Sequence, residues 1–430
     1  MPSEVPGRVA WAVLFPALLV LLAACSSSGT GAPVASTAPP PAPTTAAGLL
    51  GDTSNVPDAY KAVYAAIARQ VEDLAAMAGA APPASQTVIG AELLSANANI
   101  GPRLLLPQAI TAVSTELDAL QSLGVQGVVV AVSFPLLLDS TPDGQGYLEF
   151  YKRVAAEVRA RNMVLAVEAN PVFVGSEVTP FTFSFAGLTV DSYAAQQRQM
   201  AQVIIDNLRP DYLSLIAEPE TNSNLLHLNL TAPDTLVRLV AQELDGLRRG
   251  STKVGAGVGT WSNVALAQAL LSQTSIDFLD VHSYAMASQD LANLVKLVDA
   301  AKKANRTLVM TETWLYKDYV NGNFDLQGRI RANASGPAAE QKVVSYDFWE
   351  PLDAAYVAAM VRYVRANGFA FAAFFEVSRT GFAYLKWTPE VEAATYQAVS
   401  QQYSQLVSAG LRQKTPTRTG AALRDAIRGN

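Results

Sequence analysis

Eight short runs of β-forming residues, each followed by a stretch with helical spacing, recur along the chain, and this alternation constrains the fold more than any other feature. The runs are TVIGAELL (87–94), GVVVAVSF (127–134), MVLAVEA (163–169), YLSLIAE (212–218), KVGAGVGT (253–260), DFLDVHSY (277–284), TLVMTET (307–313) and FAFAAFFEV (369–377). Between them apolar residues return every three or four positions, as in Leu236, Val240, Leu244 and Leu247 before Gly250, or Leu352, Tyr356, Met360 and Val364 before Gly368. A glycine past the last periodic residue stops a helix, because it turns left-handed there without steric cost. Eight such units over roughly 320 residues predict an α/β fold, a (β/α)8 TIM barrel, in preference to an open doubly wound sheet. No G-x-G-x-x-G follows the first strand, and GAGVG (255–259) lies inside the fifth, where small side chains suit a crowded barrel better than a nucleotide loop.

Half of the 430 residues are hydrophobic and 16% are charged, enough to bury a large core. The formal charge is −6 and Lys and Arg form no run, which excludes the basic footprint of a nucleic-acid partner. The amino-terminal region has a different character. VAWAVLFPALLVLLAA is short for a membrane span, contains Pro16, and ends in small residues suited to a peptidase, as in a signal peptide. Residues 26–48 carry no charge and no aromatic ring and are rich in Pro, Ser, Thr and Ala, so they form a spacer and not a core. The expected division is a signal peptide (1–24), Cys25 with its linker (25–50), a helix packed on the barrel (51–83, with Tyr60, Val63, Ile67 and Val71 at helical intervals) and the barrel itself (84–430).

In a barrel of this kind the chemistry gathers at the carboxyl ends of the strands. Those ends carry Glu92 on the first strand, Glu168 with Asn170 on the third, Glu218 on the fourth, His282 and Tyr284 on the sixth, Glu312 on the seventh and Glu376 on the eighth. Strict alternation puts Ser214, Ile216 and Glu218 on the inward face, and likewise Leu308, Met310 and Glu312, so Glu218 and Glu312 should face one cavity mouth. Buried carboxylates are costly unless paired. Two of them across a barrel mouth can serve as general acid and nucleophile in glycoside cleavage, if their surroundings separate their pKa values. The competing expectation is a structural network with Arg or Lys. The paired-carboxylate chemistry needs no cofactor and no metal, and with His227 the only other histidine a multi-histidine metal site is excluded.

Three local motifs resemble the clan A glycoside hydrolases. IAEPE is similar to their Asn-Glu-Pro signature after strand four, LDVHSYA to the strand-six His-x-Tyr element, and VMTETW to the turn that carries the strand-seven nucleophile. The resemblance spans the whole barrel and implies Glu218 as acid/base and Glu312 as nucleophile of a retaining enzyme. One position departs from it: Ala217 stands where the clan has an Asn that contacts the sugar 2-hydroxyl, so either another side chain, Asn170, Asn222 or Asn224, takes over that contact or the substrate presents this position differently. At the amino terminus, Leu22-Ala23-Ala24-Cys25 resembles a bacterial lipobox, which implies cleavage before Cys25 and lipidation of its sulfur.

The remaining expectations concern binding. Tyr284, two residues past His282 on one strand face, can orient the nucleophile carboxylate, while Trp261 and Trp314 can stack on a sugar ring or simply pack. Glu92, Glu168, Asn170, His282 and Glu376 complete the expected substrate contacts, Glu220 is expected to cap or pair in its loop, and residues 315–349 form a loop long enough to wall the cleft. The sequence thus reads as a lipid-anchored retaining glycoside hydrolase acting on an oligo- or polysaccharide on the extracytoplasmic face of the cell membrane. The alternative is a sugar-binding lipoprotein on the same barrel that does not cleave.

Overall fold

The computed structural model describes residues 53–79, 86–174, 181, 183–284, 288–317, 319–320, 324–325 and 345–429. Cys25, the spacer and most of the 315–349 loop lie outside them. Eight parallel strands close into a barrel: β1 (Val88–Glu92), β2 (Gly127–Ala131), β3 (Val164–Glu168), β4 (Tyr212–Ser214), β5 (Lys253–Gly259), β6 (Phe278–Tyr284), β7 (Thr307–Trp314) and β8 (Phe371–Phe374). Each strand pairs with its sequence neighbours, and β8 returns to pair with β1, as in a (β/α)8 TIM barrel.

The interior is filled by Val129, Ala166, Phe278, Val309, Phe371 and Ala373, with Tyr212 packed on the rings of Phe278 and Phe371. These residues leave no pore, so the polar residues one strand step further on sit on a dry floor. The GAGVG run does lie within β5, and its glycines are required by their neighbours. A Cβ on Gly255 would meet the Phe278 ring at 2.3 Å, and one on Gly257 would meet the Asp280 carbonyl oxygen at 1.8 Å.

Helices cover the outside. Before the barrel, α1 (Lys61–Ala78) buries Val63, Ile67 and Val71. It lies against α9 (Glu350–Asn367), where Tyr64 stacks on Trp349 at 5.8 Å. Between them in sequence come α2 (Ala109–Ser122), α3 (Gly144–Ala160), α4 (Val190–Leu208), α5 (Pro219–Leu226), α6 (Pro233–Leu244), α7 (Val264–Gln273) and α8 (Ser288–Lys303). Gly368 ends α9 at φ 72°, as its position in the sequence predicts. One expected boundary is wrong. The helix containing Leu236 stops at Leu244, because Asp245 turns to φ −66°, ψ 119°, and Leu247 reaches the core from the following turn. A turn residue thereby imitates helical spacing.

The seventh strand departs from strict alternation. Val309 lies in the interior plug, so Leu308 and Met310 do not share the inward face expected of them. Against β6 the register runs from Asp280 paired with Val309 to His282 paired with Glu312, and against β8 it shifts between Ala372 and Phe374. Both neighbours thus meet one extra residue on β7, a β-bulge, and the bulge returns Glu312 to the interior that alternation from Val309 would have denied it.

Candidate active site

The carboxyl end of the barrel opens into a cleft that, with its solvent-open mouth, encloses about 550 Å³. Glu92, Glu168, Asn170, Glu218, His282, Tyr284 and Glu312 all line it, contributed by five strand ends. Its other polar walls are Asn97, Asn99, Ser133, Thr221 and Asn222, with Phe173 and Phe375 as aromatic faces. Each position has a local cause. The Glu116 carboxylate on α2 accepts from the amides of Leu94 and Ser95 at 3.0 and 2.8 Å, which fixes the turn that delivers Asn97 and Asn99. Gln197 on α4 donates to the carbonyls of Ala169 and Leu215 and so ties together the chain segments leading to Asn170 and Glu218. Pro219 opens α5 immediately after Glu218, where its fixed φ and missing N–H suit the first helical turn.

Glu218 and Glu312 are joined through Tyr284. Its hydroxyl lies 2.6 Å from Glu312 Oε1 and 2.9 Å from Glu218 Oε1. An oxygen of each carboxylate and a ring nitrogen of His282 all lie within 4.8 Å of one another. Glu218 Oε2 also accepts from Thr221 Oγ1 at 2.6 Å. The two carboxylates are therefore close but differently held: Glu218 contacts Thr221, Tyr284 and His282, whereas Glu312 has Tyr284 as its hydrogen-bond donor.

His282 is bonded at both ring nitrogens. Its Nδ1 lies 2.8 Å from Glu218 Oε1, and its Nε2 lies 3.0 Å from Thr311 Oγ1 and 3.4 Å from Glu168 Oε1. Thr311 in turn donates its hydroxyl to Asp280 Oδ2 at 2.6 Å and its backbone N–H to Asp280 Oδ1 at 3.0 Å. An ionised Asp280 only accepts, so the Thr311 hydroxyl spends its proton there and presents a lone pair to His282. Nε2 then carries a proton, and the remaining proton position lies between Nδ1 and Glu218. The same Asp280 satisfies the Thr311 amide at the β7 bulge, so one buried side chain holds both the bulge and the imidazole.

Charge follows from this packing. Burial, then the Glu218 and Glu168 charges, outweigh the His282 attraction and lift Glu312 to about 8. Burial raises Glu92 well above the carboxyl range, and Glu312 and Glu168 push it the same way. Burial alone would lower His282, but Glu168 and Glu218 hold it well above its ordinary value, as an imidazolium. Burial and the same two carboxylates Glu218 and Glu312 raise the Tyr284 phenol, which stays a donor. Two triads, Glu168–Asp280–His282 and Glu218–His282–Glu312, have donor atoms close enough for a metal ion, and in both His282 is already engaged through its two nitrogens.

Three residues expected to touch substrate do not line this cleft. Trp261 stacks on the Tyr284 ring at 4.6 Å, and Trp314 packs edge-on to Tyr284 and Tyr316, so both brace the tyrosine. Glu376 pairs with Arg379 at 3.3 Å and faces a smaller cavity of about 300 Å³. Glu220, in the first turn of α5, accepts from Ser262 Oγ at 2.8 Å, a pairing role. Asn170 occupies the space beside Ala217: its Oδ1 accepts from the Ala217 amide at 3.4 Å and from Asn222 Nδ2 at 3.2 Å. Sequence reasoning missed Asn97 and Asn99, although only three residues separate ANANIG from β1. It missed Asp280 and Thr311 because nothing local marks the bulge.

No protein-family model matches this chain, and no curated protein matches it by sequence. Solved structures do match in fold. The exo-β-1,4-mannosidase Op5Man5 from Opitutaceae bacterium strain TAV5 superposes with a TM-score of 0.52 at 13% identity, over 80% of this chain and 59% of that one. This chain therefore spans less than two thirds of the mannosidase. GH5_18 from Bifidobacterium longum subsp. longum ATCC 55813 superposes with a TM-score of 0.52 at 10% identity, over 80% of this chain and 79% of that one. At these identities the similarity is one of fold, the (β/α)8 barrel.

Proposed function

We propose that the protein is a retaining glycoside hydrolase in which Glu312 is the nucleophile and Glu218 the general acid/base. The observation that carries this reading is the pair of buried carboxylates bridged by the Tyr284 hydroxyl, with oxygens within 4.8 Å of each other. Retaining enzymes hold their carboxyl groups about 5 to 5.5 Å apart and inverting ones about 6.5 to 9.5 Å, because only the latter admit a water. Glu312 attacks the anomeric carbon, and Tyr284 donates to the same carboxylate and fixes its orientation. Glu218 shares a proton with His282 Nδ1 and passes it to the departing oxygen; the carboxylate left behind then takes a proton from the water that frees the sugar. His282 supplies the positive charge that lets these acidic groups coexist. The mannosidase that shares the fold acts on a glycoside, in keeping with this chemistry.

The reading extends to the cell surface. The lipobox-like Leu22-Ala23-Ala24-Cys25 and the spacer after it support a lipid anchor that holds the barrel outside the cytoplasm, where an oligo- or polysaccharide is the substrate. Proton NMR of the first product tests the mechanism: the anomer formed before mutarotation should keep the substrate's configuration. An inverted first product removes the nucleophile role of Glu312. Mass mapping of an enzyme inactivated by a 2-deoxy-2-fluoro glycoside should place the adduct on Glu312.

A further inference from the structure

One cleft carboxylate has no part in this chemistry. Glu92, 4% exposed at the end of β1, accepts a single hydrogen bond, from Asn97 Nδ2 at 2.8 Å, and has no cationic partner among the described residues. The charges that act on it, those of Glu312, Glu168 and Glu376, are all negative. Burial without a cation disfavours the ionised form of Glu92, and a cation that arrives with a ligand would restore it.

The hydrogen-bond inventory of the cleft points the same way. All four of its asparagines spend an N–H on the protein itself: Asn97 on Glu92, Asn99 on Asn97, Asn170 on Glu168 and Asn222 on Asn170. Asn222, 1% exposed, keeps its Oδ1 without a partner. No Lys or Arg is among the described residues that line the cleft, and the cation there is the His282 imidazolium. Each amide keeps its second N–H, but where Glu92 and Glu168 meet the cleft the wall presents two carboxyl groups, of which only Glu168 has a cation, His282, beside it. A hydroxyl brings one proton together with lone pairs of its own, whereas an ammonium brings three N–H donors, no lone pair and a positive charge.

We infer that the wall formed by Glu92 and Glu168 binds the protonated amino group of a hexosamine residue, so that the glycan carries free amines. This rests on the glycosidase reading and names its substrate class. Glu168 is already partly balanced by His282, and Glu92 is the group the ammonium completes.

Binding without turnover tests it. The Glu312→Gln variant is titrated calorimetrically with glucosamine and galactosamine oligomers, their N-acetylated forms, neutral gluco- and manno-oligomers, and calcium chloride alone. Amine oligomers should bind about tenfold or more tighter than acetylated or neutral ones, with a preference that shrinks as salt is raised. Adding the isosteric Glu92→Gln should collapse that preference to below about threefold, with circular dichroism checking the fold. Equal binding of neutral oligomers overturns the inference. So does a preference that survives Glu92→Gln, or Glu92-dependent calcium binding in place of amine binding. Wild-type turnover of the same panel separates the two claims. Hydrolysis of neutral oligomers without amine preference removes the inference and leaves the hydrolase. Amine oligomers held by Glu92 but cleaved by no wild-type preparation leave the subsite and remove the hydrolase.

Discussion

Replacing Asp280 by Asn tests how the barrel aims its chemistry. Asp280 is fully buried and accepts twice from Thr311, at its N–H (3.0 Å) and at its hydroxyl (2.6 Å). Asn keeps one acceptor for the amide and turns an NH2 toward the hydroxyl. Thr311 must then accept that N–H and donate its own proton to His282 Nε2, which reverses the tautomer, puts the ring proton on Nδ1 and leaves Glu218 as its acceptor, with no proton to give. One hydrogen bond to a charged group is lost, worth about 1.5–3 kcal/mol, and the melting temperature should fall by a few degrees, on the order expected for a domain of this size. The kinetic effect is selective. A glycoside with a poor leaving group, which needs a proton from Glu218, should lose about 10–100-fold in kcat/KM, in the range of general-acid contributions. An activated aryl glycoside, which hardly needs one, should lose far less. Thr311→Val breaks the same link from the other side and should show the same leaving-group dependence. Equal losses on both substrates would refute the relay and reduce Asp280 to a structural clip on the bulge.

Three further outcomes are expected. Glu218→Ala should still turn over an activated aryl glycoside and be accelerated by azide, whereas Glu312→Ala should be almost inactive on every retained pathway; near wild-type activity of either on a natural glycan removes that assignment. Glu312 titrates near 8 in the folded chain against an ordinary value of 4.5, so the folded state holds the extra proton and its stability from this group falls as pH rises through that window. Glu312→Gln should therefore match the wild type at about pH 5 and exceed it by a few kcal/mol at about pH 9 in chemical unfolding, while wild-type kcat/KM rises with pH up to about 8 as the nucleophile ionises. Finally, Cys25→Ser should move the protein from the membrane fraction to the soluble one; unchanged fractionation with no acyl mass on the amino-terminal peptide rejects the anchor.

The sequence alone determined the repeat of strand and helix and the concentration of carboxylates at strand ends, because side-chain period and turn chemistry are local properties written in consecutive residues. The stop at Gly368 and the crowding of GAGVG are legible for the same reason. Tertiary structure decided what those carboxylates meet. The β7 bulge appears only in the register against β6 and β8, so the simple alternation through Leu308 and Met310 gave a wrong account of how Glu312 reaches the interior. Trp261 and Trp314 could have stacked on a sugar ring or packed, and both pack on the Tyr284 ring. The link from Asp280 through Thr311 to His282 joins adjacent strands, and Glu218 completes it from the end of β4, two strands away from β6. A chain read one residue at a time holds no record of such distances, because they are set when the eight strands close and fix which ends share one cavity.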